Sequence, residues 1–251
     1  MTDRAAATSP LVYARVAGVA YLLIMICAVL SQAFVDSKLI VSGNDAVTGN
    51  NIVAHDTLFR FGIVGVLIIY ASVVVLAHSL FVILKPVNQN LALLAMLLRI
   101  AEAILGGATM LASFAVLALL DGKGPATAFE PEQLHALVGV VLNVRTAGLD
   151  IVLAFVGLGG TVFCYLLFQS KLIPRVLAAW GVFTYSSMLA LSVVSILFPN
   201  HPVMLETVLY ALGGLFEFII GGWLLLKGVD VRQWASYASA EQSTLVATTL
   251  S

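Results

Sequence analysis

The sequence predicts an all-α polytopic membrane protein, a bundle of six transmembrane helices. Three observations carry that prediction. Of 251 residues, 61% are hydrophobic and only 10% charged, and mean hydropathy is +1.06. A soluble domain of this length has no interior large enough to hide so much apolar surface. The apolar residues also fall in long runs rather than in alternation, which excludes barrel strands. Finally, the runs reach the ~20 residues that a helix needs to cross the hydrocarbon. There, every backbone group has to be bonded within its own segment.

The first run, Leu11 to Phe34, follows Arg4. It is too long for the core of a signal peptide and reads as a retained span. The second runs from Phe61 to Leu84, the third from Leu91 to Leu120, and the fourth lies within Pro131 to Phe168. The fifth is Leu172 to Phe198 and the sixth Val203 to Leu226. Between the first two, Asn44 or Asp45 caps a short amphipathic helix. After the third, Asp121-Gly122 and Gly124-Pro125 are turn signals. Pro131, flanked by Glu130 and Glu132, then starts a helix. At 1.5 Å per residue that helix, if it reaches Phe168, is far longer than the ~30 Å core. It has to protrude or to kink near Gly148. The turns "KPVNQN" and "QSKLIP" are short. Residues 1–232 form the membrane domain, and the polar tail, 233–251, is expected to lack fixed structure.

Lys and Arg set the orientation. With both termini inside, Arg4, Arg15, Lys85, Lys171, Arg175, Lys227 and Arg232 are cytoplasmic. Lys38, Arg60, Lys123 and Arg145 are then outside. Seven against four favours this arrangement. A net charge of −1 leaves no basic surface for nucleic acid. Cys27 and Cys164 lie in separate runs, expected near opposite membrane faces, and do not form a disulfide. His55, His135 and His201 have no ligand spacing, and His78 reads as a bundle residue. No metal site and no cofactor motif is present.

Polar residues inside the runs are the guide to function. On the third span Arg99, Glu102, Gly106 and Thr109 share a face, and Arg99 and Glu102, three apart, can pair. A charge at mid-bilayer costs about 2.5–3.5 kcal/mol on insertion scales. On the sixth, Glu206, Tyr210, Gly213, Glu217 and Gly221 form one stripe. On the fourth, Gly139, Asn143, Thr146, Asp150, Gly157 and Thr161 do the same, with Arg145 turned away. Such faces turn inward, because lipid would penalise them. The expected bundle centre holds Arg99, Glu102 and Glu217, with the face of the third span meeting the Glu217 stripe. Asp150, Glu206 and Arg60 are expected to ring its outer mouth, with Asn143 and Tyr210 beside them. The glycines can equally be helix-packing surfaces, and Tyr13, Tyr21 and Trp223 read as packing or interface aromatics. "EAILGG" (Glu102–Gly107) matches "EFIIGG" (Glu217–Gly222), which suggests a three-plus-three inverted repeat.

Five pieces carry a resemblance across Ala14 to Val229: "ARVAGVAYLL", "LFRFG", "KPVNQNLALLAMLLRIAEA", "LLFQSKLIPRVL" and "WLLLKGV". Together they resemble the bacterial membrane proteins of domain-of-unknown-function family 4386. The resemblance implies six spans in a bacterial inner membrane and brings no activity, substrate or site residue.

Three functions fit these residues. The first is binding or transport of a small or amphiphilic molecule between the third, fourth and sixth spans, with Arg99 clamping an acidic group. The second is a membrane-embedded enzyme acting on a lipid or isoprenoid, its carboxyl groups held in different surroundings for acid and base work. No nucleophile or phosphate motif specifies a reaction. The third is a structural or regulatory partner protein, with the ion pair as a helix lock. Membrane lipid is the expected surrounding partner, and a homo-oligomer is the way six spans would gain a larger pathway.

Overall fold

The computed structural model describes residues 9–121, 127–198, 200 and 202–249. Arg4, Gly122, Lys123, the Gly124-Pro125 turn and His201 lie outside them. The first span is α1 (Pro10–Leu30), continued by a π-helical turn (Ser31–Asp36) and a short α2 (Ser37–Leu39). A connecting helix α3 (Asp45–Ala54) precedes the remaining spans. These are α4 (Asp56–Leu84), α5 (Gln89–Leu120), α6 (Pro131–Ser170), α7 (Arg175–Leu197) and α8 (Val203–Leu226). The chain is thus an all-α polytopic membrane protein with six apolar helices long enough to span a bilayer.

The ends of these helices follow local chemistry. The Asn44 side chain accepts from Val47 N at 3.0 Å, capping α3 as its position in the sequence predicts. Asn88 does the same for α5 through Leu91 N. Before Pro131, Glu130 and Gln133 form a capping box. At the other end of α6, Lys171 turns the chain with φ 57°. Gly228, at φ 71°, ends α8.

At 40 residues α6 is about 60 Å long, roughly twice the hydrocarbon core. Its excess carries the end of the molecule that also holds α3, called here the long-loop end. The two pack tightly: a Cβ on Gly49 would lie 2.7 Å from the His135 ring, and the Asp45 carboxylate sits on Gly139. Leu39, Ile52, Leu117 and Val138 form a small separate core beneath them.

The spans form a closed ring in chain order. α1 packs on α4, α4 on α5, α5 on α6, α6 on α7, α7 on α8, and α8 returns to α1. The closure is a close backbone approach: a Cβ on Gly18 would lie 2.5 Å from Leu225 N and 2.7 Å from the Gly221 carbonyl oxygen. Large apolar side chains such as Leu111 (70% exposed) and Phe61 (67%) point outward, as lipid-facing positions should.

This order rules out the suggested inverted repeat. A two-fold axis in the membrane plane turns each helix over and reverses the cyclic order of a ring. The repeat would need the first, second and third spans to map onto the fourth, fifth and sixth, which keeps the cyclic order. No proper rotation does both. The match between "EAILGG" and "EFIIGG" is therefore local: Gly106 receives the Tyr70 ring, Gly221 receives Tyr21, and Gly107 and Gly222 face open space.

The tail also differs from expectation. Residues Val231–Thr249 form a helix, α9. Its start has a reason. Asp230 Oδ1 accepts from Arg232 N (2.9 Å) and Gln233 N (3.0 Å), which caps the helix. The Trp234 indole then donates to the Ile83 carbonyl at 3.0 Å, docking it on the end of α4. Low hydropathy had hidden a capped, alanine-bearing helix.

Candidate polar site at the ring centre

Arg99 and Glu102 come from α5, one helical turn apart, and both are buried, at 4% and 3% exposure. Arg99 Nη1 lies 2.8 Å from Glu102 Oε2. The N–H direction misses the oxygen, so the two attract as charges while both atoms stay without a hydrogen bond. The arginine stem crosses α6 at Gly159, where a Cβ would lie 2.9 Å from Arg99 Cγ. Glycine there lets a long charged side chain pass between two helices.

Across the ring, Tyr185 of α7 donates to Glu217 Oε1 of α8 at 2.8 Å. Its hydroxyl is also 3.3 Å from that of Tyr21 on α1. The Tyr185 ring rests on Gly160, the neighbour of the glycine under Arg99, and meets Phe216 edge-on at 5.7 Å. Arg99 is within electrostatic reach of Glu102, Tyr185, Tyr21 and Glu217. α5 and α8 are not ring neighbours. Their charged faces therefore look at each other across the centre instead of packing. Glu217 is half-buried, unlike the pair it faces.

The other sequence candidates lie elsewhere. Tyr210, 46% exposed, is within electrostatic reach of Glu206 and Asp150. These three form a second group toward the long-loop end, where the Asp150 carbonyl accepts from Ser192 Oγ at 2.7 Å. Asn143 is exposed, as is Thr146, whose hydroxyl bonds to its own helix at Leu142. Arg60 is exposed and pairs with Asp56 at 2.8 Å, one turn away on α4. The glycine stripes serve packing: Gly213 receives Met188, and a Cβ on Gly157 would lie 2.6 Å from Leu189 N.

Sequence reasoning missed a cavity of about 210 Å³ in the long-loop half, between α1, α4, α5 and α6. Arg145 and Asp36 form a partly buried pair on its wall, Nη2 to Oδ1 3.5 Å. Asp36 is placed there by the π-helical turn, a distortion frequent at functional sites. Tyr70, Thr109 and the buried Ser113 add further polar groups. Tyr70 is within electrostatic reach of both Arg145 and Glu102. Tyr70, seated on Gly106 one turn from Glu102, thus stands between the cavity and the central pair. A mostly apolar groove of about 520 Å³ between α5 and α6 shares Thr109 and Arg145 with it. The available signals were Thr109, on the polar face of the third span, and Arg145, an arginine within an apolar run that faces away from the polar stripe of its helix.

Among the described residues no group of His, Cys, Asp and Glu is arranged to hold a metal ion. Residues 16–228 match the model of a family described as "Domain of unknown function (DUF4386)". No curated protein and no solved structure matches the chain.

Proposed function

The chain belongs to the DUF4386 family of bacterial multi-pass membrane proteins, and from that premise we propose that it binds a small amphiphilic molecule inside the ring. The observation that carries this reading is the cavity with its Asp36–Arg145 wall, and with Tyr70 between it and the buried Arg99–Glu102 pair. At about 210 Å³ it is smaller than the 300–1,000 Å³ of most ligand pockets, so it suits a polar headgroup rather than a whole ligand. The adjoining groove is apolar and lies where lipid would be, which suits a chain. Arg145 stands at the junction and offers a planar, two-point contact to a carboxylate or phosphate. The central cluster of Arg99, Glu102 and Glu217 is the polar floor, and Asp150, Glu206 and Tyr210 flank it on the α6–α8 side. The long-loop end faces out and both termini are cytoplasmic in this reading, following the Lys and Arg bias.

The test is to purify the wild type from its membranes and identify co-purifying small molecules by mass spectrometry. Ala28→Phe places a ring in the cavity and is expected to lose the retained molecule while the protein still inserts. Arg145→Ala should weaken its retention. An identical set of molecules in all three preparations would rule out this site.

A second reading has its own observation. Arg99 and Tyr185 are seated on consecutive glycines, Gly159 and Gly160, with little room left around them. That tight seating suits an ion pair that locks the ring. Exchanging the charges, Arg99→Glu with Glu102→Arg, separates the two. A lock survives the exchange, whereas a ligand floor loses its ligand.

A further inference from the structure

The opposite end of the molecule holds another pocket, of about 500 Å³, which shares no residue with the central polar site or the amphiphile cavity. Lys171, Arg175 and Lys227 line it, with Trp223 and Pro174. Three elements bring them together: the turn between α6 and α7, the start of α7, and the end of α8. The link running from α8 to α9 closes it through Asp230 N, which donates to the Leu172 carbonyl at 3.0 Å.

The charge in this cavity is unbalanced. Its one acid is Asp230, and one oxygen of that carboxylate is occupied in capping α9. Lys171 and Lys227 have a structural reason to be there, since each ends a helix and complements its dipole. Arg175 has none. It is the first residue of α7, where a cation opposes the dipole, and it is held in place over the Phe168 ring at 5.5 Å. The N-cap of α7 is Pro174, which makes no side-chain capping bond. An arginine, two lysines and an uncapped helix start converge on one solvent-open pocket, a concentration of positive charge that favours an anion there.

We propose that this cavity binds the phosphate-bearing headgroup of an anionic membrane phospholipid. Its place selects the lipid over a free phosphate. It lies where three spans end, at the level of the headgroups, and Trp223 is the side chain that settles at that level. The exposed Val176 and Leu226 beside it give acyl chains an apolar surface to follow. Basic pockets between spans on the cytoplasmic side are the recurring form of such sites.

The test adds phosphatidylglycerol, or phosphatidylcholine with the same acyl chains, to the delipidated full-length protein in neutral detergent. Bound lipid is then counted by native mass spectrometry. Phosphatidylglycerol should be retained in preference, and Lys171→Gln, Arg175→Gln and Lys227→Gln should each weaken retention about fivefold, equivalent to about 1 kcal/mol. Lys171→Arg, Arg175→Lys and Lys227→Arg should retain the lipid, which excludes a trivial loss of fold. Equal retention of the two lipids would overturn the proposal. So would glutamine variants that bind as the wild type does. Displacement of the lipid by millimolar inorganic phosphate would also overturn it, and would assign the cavity to a soluble anion.

Discussion

Arg99 shows what a single residue means in this ring. Its guanidinium is buried and faces two carboxylates, and its stem lies on a glycine that leaves no room for a side chain. Removing one member of such a pair strands the other, at a cost of about 3–5 kcal/mol in protein interiors, whereas apolar replacement of both is often neutral. Arg99→Ala is therefore expected to unfold at a markedly lower temperature in detergent, while Arg99→Met with Glu102→Met stays near the wild type. If the double variant unfolds as early as the single one, the charges themselves hold the ring. Gly160→Ala makes a complementary case. A methyl there meets the Tyr185 ring, and overpacking costs about 1–3 kcal/mol. The expected result is a lower melting temperature, and Tyr185→Ala, which empties the space the methyl invades, should lower it less on that background than in the wild type. Arg99, Glu102 and Glu217 were legible in the sequence because a charge within an apolar run is costly and conspicuous. Tyr21 and Tyr185 were not, since an aromatic in such a run is most often plain packing, and only the fold shows that Tyr185 donates to Glu217 with the Tyr21 hydroxyl beside its own.

At the scale of elements, what the sequence revealed depended on whether the signal was local. The six spans, the cap at Asn44 and the start at Pro131 were all readable, because hydropathy and capping act within a few residues. The π-helical turn Ser31–Asp36 was not, as it has no pattern of its own and rests on contacts such as Val35 against Gly62. That turn decides where Asp36 points, so the cavity wall was invisible too. The connecting helix α3 is the element most open to a direct test. Its N-terminus depends on Asn44, and its body lies on the extension of α6 at Gly139 and His135. Asn44→Ala removes the cap, worth about 1 kcal/mol. Faster amide exchange is expected across 45–54, with exchange in α5 and α8 unchanged. Spread of the effect into α5 would mean that α3 supports the whole ring rather than its own end.

For the whole molecule, chain order around the ring is the property that hydropathy could not supply, because each apolar run predicts a span without naming its neighbours. A ring in sequence order has all its short connections at the rim and leaves its centre to side chains from every helix. It also fixes a vectorial problem: the two candidate sites lie at opposite ends, the Asp36–Arg145 cavity at the long-loop end and the Lys171–Arg175–Lys227 cavity beside the tail. Which end meets the cytoplasm decides whether the first site samples the outside. In the orientation proposed from the Lys and Arg bias, the tail end is the cytoplasmic one. Single cysteines read this directly, provided Cys27 is first changed to serine; Cys164 is buried. Asn50→Cys on α3 and Ser236→Cys on α9 are both at exposed positions. In intact spheroplasts a membrane-impermeant maleimide is expected to label position 50 and to reach position 236 only after permeabilisation. The reverse pattern would turn the molecule over and leave the amphiphile cavity open to the cytoplasmic side.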